Sequence, residues 1–303
     1  MAEPSERPGA GLPEAVAGLL FVAPTALLLA GLIAWPLGEA VLLSFYDVNP
    51  LTLASRPVGL DNYRELLGGE EFWRALWANL LWVGGSVALQ VAMGVGLALL
   101  MHRPFAGRGL TRALLLFPYL LPTVVAVLIW QWMLNDVYGV ANYALASVGV
   151  APPDWLGSMP EAMVTVVAIG SWKLFPFVMI AVLARLQSIP GQIYESASVD
   201  GAGPWARFWD MTLPQLRPVL FVVVLLRAIW DFKEFDLIFL LTGGGPTDST
   251  TTLPLLVYKE AFQLLHMGRA AAAGVAMLGI MVLLIGLYVL VAGRTTADLS
   301  GRA

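Results

Sequence analysis

Long apolar stretches separated by short polar segments dominate the pattern of this chain. A helix needs about 20 apolar residues to cross a bilayer, and six stretches meet that need: Ala15–Gly38, Ala75–Met101, Ala113–Asn135, Met163–Ala184, Val219–Leu241 and Ala270–Gly293. Four of them contain no Lys, Arg, Asp or Glu, the fourth in order contains only Lys173, and the fifth becomes charged towards its end. The pattern predicts an all-α integral membrane protein with six transmembrane helices.

The first apolar stretch differs from a cleaved signal peptide. The preceding segment "MAEPSERPGAGLPE" has more acidic than basic residues, and the apolar run exceeds the usual length of about 7–15 residues. We therefore expect a retained helix. This expectation makes residues 1–14 a tail and residues 15–70 the first transmembrane helix with its following loop.

The polar segment 187–217 has the pattern of a helix–turn–helix. Pro190 and Pro204 stand at positions where a first helical turn tolerates proline, and Gly201 stands where a helix can end at positive φ. The second helix carries an aromatic stripe of Trp205, Phe208 and Trp209. On this local pattern alone, the segment can be a hairpin that merely joins two spans.

The composition supports a surface that meets lipid. The chain is 58% hydrophobic and 13% charged, whereas soluble domains have about 25% charged residues. The net charge of −4 gives no basic footprint for nucleic acid. There is no cysteine for a disulfide or thiolate site, and His102 and His266 have no partners at metal-ligand spacing, so we expect no metal site.

Lysine and arginine residues in the loops predict the orientation. The two tails with loops 102–112 and 185–217 hold nine basic and seven acidic residues. The loops 39–74, 134–161 and 242–269 hold five basic and eleven acidic residues. We therefore expect both termini, and the polar segment 187–217, on the cytoplasmic side of the membrane.

A motif within the polar segment resembles a known family. Glu195, Asp200-Gly201-Ala202, Phe208, Leu213-Pro214 and Pro218 have the spacing of the EAA loop in membrane subunits of type I ATP-binding cassette (ABC) importers. The segments "LQSIP" before it and "FKEFDLIFLLTGGGPTDSTTTLPLLVYKEAF" after it are similar to the carbohydrate-importing maltose/glycerol-phosphate branch. The resemblance covers about Glu71 to Gly293, and Ser196 departs from the commonest pattern, which has alanine.

The resemblance implies a multi-pass protein of a bacterial inner membrane, in which this loop is a coupling helix that docks on a separate ATPase subunit. Glu195 and Asp200 would supply charge-assisted hydrogen bonds. Small residues would permit close approach: Ser196, Ala197, Gly201 and Ala202. The implied partners are a second homologous permease subunit, two ATPase subunits, an extracytoplasmic solute-binding protein and a sugar substrate.

The chain contains no recognisable energy source of its own. None of its three lysines follows a G-x-x-x-x-G frame, so there is no Walker A loop. The glycine-rich segment "TGGGPTDST" is better interpreted as a turn or gate. We therefore expect a transport subunit without catalytic residues or a cofactor of its own, with ATP and Mg²⁺ on the partner ATPases.

Ionisable residues in the fifth span are costly in a membrane and point to function or mutual pairing. On one continuous helix Arg227, Asp231 and Glu234 would share a face, with Arg227 and Asp231 spaced for an ion pair. The face can be a structural ion-pair ladder or the lining of a solute cavity. The resemblance favours the cavity, although the family usually has uncharged polar residues there.

Aromatic and hydroxyl side chains in the third and fourth spans suit a sugar. Tyr119 and Thr123 would lie one turn apart on a helix bent by Pro118 and Pro122, and Phe177 belongs to the fourth span. The alternative for such aromatic residues is ordinary packing or an interfacial belt. We predict a substrate path lined by Tyr119, Thr123, Phe177, Arg227, Asp231 and Glu234.

These features predict the permease subunit of a binding-protein-dependent, ATP-driven carbohydrate importer. Residues 71–293 would form the core ABC transmembrane domain with coupling loop 187–217, and residues 294–303 a cytoplasmic tail. A proton-coupled secondary transporter is the alternative, but the internal repeats expected of one are not evident. An integral-membrane enzyme is disfavoured because no catalytic spacing of His, Cys or acidic residues is present.

Overall fold

The computed structural model describes residues 14–48, 52 and 54–300, most of which are helical. The helices of the described residues are α1 Glu14–Leu29, α2 Trp35–Leu43, α3 Asp61–Gly68, α4 Glu70–His102, α5 Arg108–Leu120, α6 Thr123–Met133, α7 Val140–Ser147, α8 Glu161–Gln187, α9 Gly191–Val199, α10 Pro204–Ala206, α11 Leu213–Phe232, α12 Asp236–Thr242, α13 Leu253–Tyr258 and α14 Met267–Ser300. Short π-helical segments occupy Ala30–Ala34, Arg207–Thr212 and Lys259–Gln263. Of the predicted tails, residues 1–13 and 301–303 lie outside the described residues.

The described residues contain five stretches of helix that are long and apolar enough to cross a membrane: Phe21–Leu43, Glu70–His102, Glu161–Gln187, Pro204–Phe232 and Met267–Val291. The pair α5 and α6 meets the same criterion but is bent by 97° at its break. Counted as one broken span, this pair brings the number to six, in agreement with the prediction.

Helices α4 and α8 form the centre of the bundle and approach closely at glycine. A Cβ on Gly94 of α4 would lie 2.6 Å from the side chain of Val178 in α8. A Cβ on Gly170 of α8 would lie 2.3 Å from the indole of Trp82 in α4. Small residues bring helices together in membranes because dispersion forces across the contact replace the hydrophobic effect.

A small β-hairpin follows the first span. Strands β1 Tyr46–Val48 and β2 Ser55–Pro57 are antiparallel, with Tyr46 opposite Pro57. Asn62 of α3 donates from Nδ2 to the carbonyls of Ser44 and Tyr46, at 2.8 and 3.0 Å. The hairpin is thereby held against the start of α14, where a Cβ on Gly268 would meet the Tyr46 carbonyl at 1.9 Å.

The predicted bounds of the fifth span, Val219–Leu241, are wrong. The spanning stretch is Pro204–Phe232, and α12 is a separate short helix. The break has a local cause: the Glu234 carboxylate accepts the backbone N–H of Leu237 at 3.1 Å, and Asp236 lies in the first turn of α12. Acidic groups at a helix N-terminus are stabilising, so they favour a new helix start here.

Candidate functional site

A buried ion pair lies near the end of α11. Arg227 and Asp231 are 3% and 0% exposed, and the guanidinium Nη2 donates to Asp231 Oδ1. The sequence spacing of four residues predicted this pairing, and the structure confirms it.

Gln90 of α4 closes the ion pair into a ring of hydrogen bonds. Arg227 Nε donates to Gln90 Oε1 at 2.7 Å, and Gln90 Nε2 donates to Asp231 Oδ2 at 3.0 Å. Gln90 is itself fully buried. One neutral amide thus serves the cation as acceptor and the anion as donor, which a buried pair needs to offset its desolvation.

Side chains of α4 also bind backbone carbonyls at the end of α11. Trp82 Nε1 donates to the carbonyl of Asp231 at 2.8 Å, and Asn79 Nδ2 approaches the carbonyl of Phe232 at 3.4 Å. The last carbonyls of a helix have no partners within the helix. Side chains of α4 therefore complete both the backbone and the side-chain hydrogen bonding at this helix end.

The sequence predicted that Glu234 shares a helical face with Arg227 and Asp231, and this prediction is wrong. The helix ends at Phe232, so Glu234 lies in the connection to α12 and its carboxylate caps that helix. Glu234 remains partly exposed, whereas Arg227 and Asp231 are buried. In this chain the geometry of Arg227 and Asp231 fits the structural alternative better than a cavity lining.

The third span is broken between Tyr119 and Thr123, which corrects their predicted placement on one helical face. Tyr119 belongs to α5 and Thr123 begins α6. Leu121 between them is extended, with φ −68° and ψ 134°. This conformation follows from Pro122, because a proline disfavours helical backbone in the preceding residue.

Lys173 of α8 compensates the broken backbone. Its Nζ donates to the carbonyl of Leu121 at 2.9 Å, and the residue is 7% exposed. A freed carbonyl at membrane depth must find a partner within the protein. The only charge in the fourth predicted span therefore holds the bend of the third.

The aromatic and hydroxyl candidates lie nearer the surface of the chain. Tyr119 is 38% exposed, and Thr123 and Phe177 are partly exposed. The Phe177 ring meets that of Trp230 edge to face, with centroids 5.0 Å apart, and the Arg227 guanidinium lies 5.5 Å from the centre of the Trp230 ring. Phe177 is thus linked to the buried ion pair through one indole.

The predicted coupling segment forms α9 and ends at Gly201. This residue has φ +78°; Ala202 N–H donates to the Ala197 carbonyl at 2.9 Å and Gly201 N–H donates to that of Ser198 at 3.2 Å. This is the Schellman arrangement, which favours glycine at the left-handed position.

The α9 surface presents its acidic groups outwards. Glu195, Ser196, Asp200 and Gly201 are exposed, and Ala202 is partly exposed. Within the described part of the chain, the carboxylates of Glu195 and Asp200 have no hydrogen-bond partner, whereas Ser196 Oγ donates to the Gln192 carbonyl at 2.9 Å. Ala197 departs from expectation: it is 3% exposed and packs on its own chain rather than on the outer surface.

Sequence reasoning missed the residues that complete the buried network. Gln90, Trp82 and Asn79 belong to an apolar helix and lie more than a hundred residues from Arg227 and Asp231. A weak signal exists in their spacing, because Asn79, Ser86 and Gln90 recur at near-helical intervals on one face of α4. This polar face within an apolar span indicates contact with polar groups of another helix.

The fold is that of an ABC importer membrane subunit. Its architecture matches a chain of a solved bacterial alginate ABC transporter in complex with alginate pentasaccharide-bound periplasmic protein. The TM-score is 0.81 at 22% identity, over 93% of this chain and 96% of that chain.

The sequence places the chain in a family. Residues 90–297 match the model of the binding-protein-dependent transport system inner membrane component. The chain belongs to this family of multi-pass inner-membrane permease subunits, which are transport components and not enzymes.

Curated relatives agree with this assignment. The trehalose/maltose transport system permease protein MalF of Thermococcus litoralis is 40% identical over 67% of this chain and 68% of its own length. The diacetylchitobiose uptake system permease protein DasB of Streptomyces coelicolor is 36% identical over 89% of this chain and 84% of its own. The inner membrane ABC transporter permease protein YcjO of Escherichia coli is 36% identical over 86% of this chain and 88% of its own.

Proposed function

We propose that this permease subunit carries a carbohydrate or polyol-like solute across the membrane. The proposal is supported by two relatives named for trehalose/maltose and diacetylchitobiose. Aromatic rings can stack on the C–H face of a sugar while polar groups bind its hydroxyls. Tyr119, Thr123 and Phe177 have the exposure required for such contacts, and Glu234 lies at a partly exposed position. Arg227 and Asp231 would stabilise the helices that carry this surface.

The proposed energy source is ATP hydrolysed with Mg²⁺ on two separate ATPase subunits. The observation that carries this part is the exposed end of α9, where Glu195 and Asp200 offer carboxylates without partners in the described residues. An apolar chain gains nothing for its own fold from two such groups, but a docking subunit with basic side chains would pair them. Ser196, Gly201 and Ala202 would allow that subunit to approach the helix closely, and Ala197 would brace it from inside.

The proposed assembly contains a second homologous permease subunit and an extracytoplasmic solute-binding protein. With α9 on the cytoplasmic side, both termini are also cytoplasmic, and the segment 242–269 faces the binding protein. Proton-coupled transport is not favoured by the family assignment. The filled hydrogen bonds of Arg227, Gln90 and Asp231 also leave little capacity for a proton relay.

The test is uptake of radiolabelled maltose, trehalose and diacetylchitobiose by proteoliposomes that hold the complete transporter, its binding protein and internal ATP. We expect uptake of at least one sugar, and its loss when the ATPase subunits are omitted. Uptake that persists without them, or that collapses only with a protonophore, would contradict the proposal.

A further inference from the structure

A polar cavity of about 670 Å³ opens at the end of α6, away from the buried ion pair and from α9. Its lining combines the last turn of α6, the connection to α7 and the turn before α8, and includes Gln131, Trp132, Asn135, Asp136, Tyr138 and Asp154. Because α8 runs from this end to α9, the cavity and α9 lie on opposite sides of the membrane. A volume of this size is typical of small-molecule sites.

Two aromatic rings form one wall of the cavity. Trp132 and Tyr138 are each 61% exposed, and their ring centroids lie 6.3 Å apart with planes tilted by 47°. They offer two apolar faces to the cavity while their polar edges stay available for hydrogen bonds.

Carboxylates complete the lining. Asp136 is exposed and has no hydrogen-bond partner within the described residues. Asp154 uses Oδ1 to accept the N–H of Gly157 at 2.8 Å, which leaves its second oxygen as an acceptor. Ring faces beside acceptors suit a neutral or amino sugar, whereas the negative charge disfavours a phosphate or an anionic lipid headgroup.

Hydrogen bonds within the protein hold the cavity wall in place. Gln131 Nε2 donates to the carbonyls of Leu240 and Leu241, at 2.8 and 3.2 Å, and fixes α6 to the end of α12. Asn135 Oδ1 accepts the N–H groups of Val137 and Tyr138, at 2.9 and 3.3 Å. A site whose walls are set before binding loses less entropy when it is filled.

Helix α12 connects this cavity with the proposed substrate path. Gln131 contacts its last turn, and Glu234 caps its first turn. Seven residues of helix span about 10 Å, a distance comparable with one disaccharide. A sugar that leaves the cavity along α12 would therefore reach Glu234 without a long unbound step.

We propose that this cavity is a carbohydrate subsite at the extracytoplasmic mouth of the permease, which holds sugar released by the binding protein before it enters the membrane path. The inference rests on the proposed function. Its role is retention: without the subsite, released sugar escapes outwards while the ATPase cycle continues.

The test compares sugar uptake with ATP hydrolysis in proteoliposomes containing the complete transporter and binding protein, with maltose, trehalose and diacetylchitobiose as probes. Trp132→Ala should lower the sugar moved per ATP about fivefold, while ATP hydrolysis stimulated by the binding protein stays near the wild-type rate. Asp136→Asn, which preserves shape, should give a smaller loss of the same kind. Tyr143→Ala is the matched control, because Tyr143 is 79% exposed on neighbouring α7 and does not line the cavity.

The outcomes separate the two proposals. Wild-type uptake with an unchanged ratio of sugar to ATP in Trp132→Ala and Asp136→Asn would overturn the subsite alone. An equal fall in uptake and ATP hydrolysis would indicate a structural role and would also overturn it. If the wild-type transporter takes up none of the probes, the proposed function fails and the subsite with it.

Discussion

Two regions of this apolar chain carry charged side chains, and their charges lie in opposite surroundings. At the end of α11, Arg227 and Asp231 are buried and bonded to each other and to Gln90. On α9, Glu195 is exposed, as is Asp200 directly after the helix, and neither carboxylate has a partner in the described residues. The first region uses its charges to join helices of one chain, and we propose that the second pairs its charges with the ATPase subunit.

The burial of a charged side chain in a membrane protein indicates whether it stabilises the fold or is available to a partner. A buried charge must be paired internally because its desolvation is costly. An exposed charge at a helix end costs little and contributes little to stability. Substitutions should therefore affect folding in the first region and assembly in the second.

The largest expected effect comes from Asp231→Ala, which leaves the Arg227 guanidinium buried without its counterion. Removal of one partner from a buried pair costs about 3–5 kcal/mol, so we expect little monodisperse protein after purification in detergent. The combined change Arg227→Met, Asp231→Leu and Gln90→Leu, which removes the Gln90 amide together with both of its partners, should recover much of the yield. Asp210→Ala, at an exposed position, is the control; equal yields for Asp231→Ala and Asp210→Ala would show that the pair is not structural.

The second prediction concerns the exposed carboxylate of Glu195 on α9. Glu195→Lys should reduce recovery of the ATPase subunits with the purified permease by at least about tenfold, equivalent to about 1.4 kcal/mol of binding. Its membrane insertion and thermal unfolding should stay unchanged, since the side chain is exposed. Glu65→Lys makes the same charge change on exposed α3 and should leave ATPase recovery intact. Normal ATPase recovery with Glu195→Lys would contradict the proposal that an ATPase subunit docks on α9.

How far the sequence determines these two regions depends on the range of the contacts. The Schellman end of α9 follows from Gly201 and its neighbours, and the pairing of Arg227 with Asp231 follows from helical periodicity, so both could be predicted locally. Gln90 lies 137 residues from Arg227, and no local pattern selects it. The end of α11 at Phe232 was missed because an apolar run resumes at Leu237 after a short charged segment. The capping by Glu234 is a contact of the folded connection, and periodicity alone does not reveal it.

A third effect, of similar size, concerns the bend of the third span. Lys173→Met removes the donor to the Leu121 carbonyl and leaves that oxygen unpaired, which costs about 1–3 kcal/mol. We expect a lower unfolding temperature in detergent and faster proteolysis near the α5–α6 break. Lys233→Met is the control because Lys233 is exposed. An equal unfolding temperature for both variants would contradict the claim that the hydrogen bond from Lys173 stabilises the bend.

The smallest effect lies in the segment after α12. The hydrogen bond from Lys259 keeps the pKa of Asp248 below its ordinary value, so the bond stabilises the fold at neutral pH and is lost as the pH falls through that lowered pKa. Because the Asp248 side chain is 65% exposed, the contribution is at most about 0.5 kcal/mol.

Unfolding measured between neutral pH and about pH 3 should show a small gap between wild type and Lys259→Met that closes on acidification. Arg56→Met is the matched control for an exposed cation, since Arg56 lies 3.9 Å from Asp47. A gap that widens towards acidic pH would reverse the sign of the linkage and contradict the assignment.

The central claim is that α9 contacts an ATPase subunit, and site-directed cross-linking tests it most directly. The chain contains no cysteine, so Ser196→Cys gives a single exposed thiol on α9 and Glu65→Cys gives a single thiol on the opposite side of the membrane. With a short bifunctional maleimide and the assembled transporter, we predict a covalent permease–ATPase product from Ser196→Cys and none from Glu65→Cys. Absence of that product from Ser196→Cys in a complex that still contains both subunits would contradict the account.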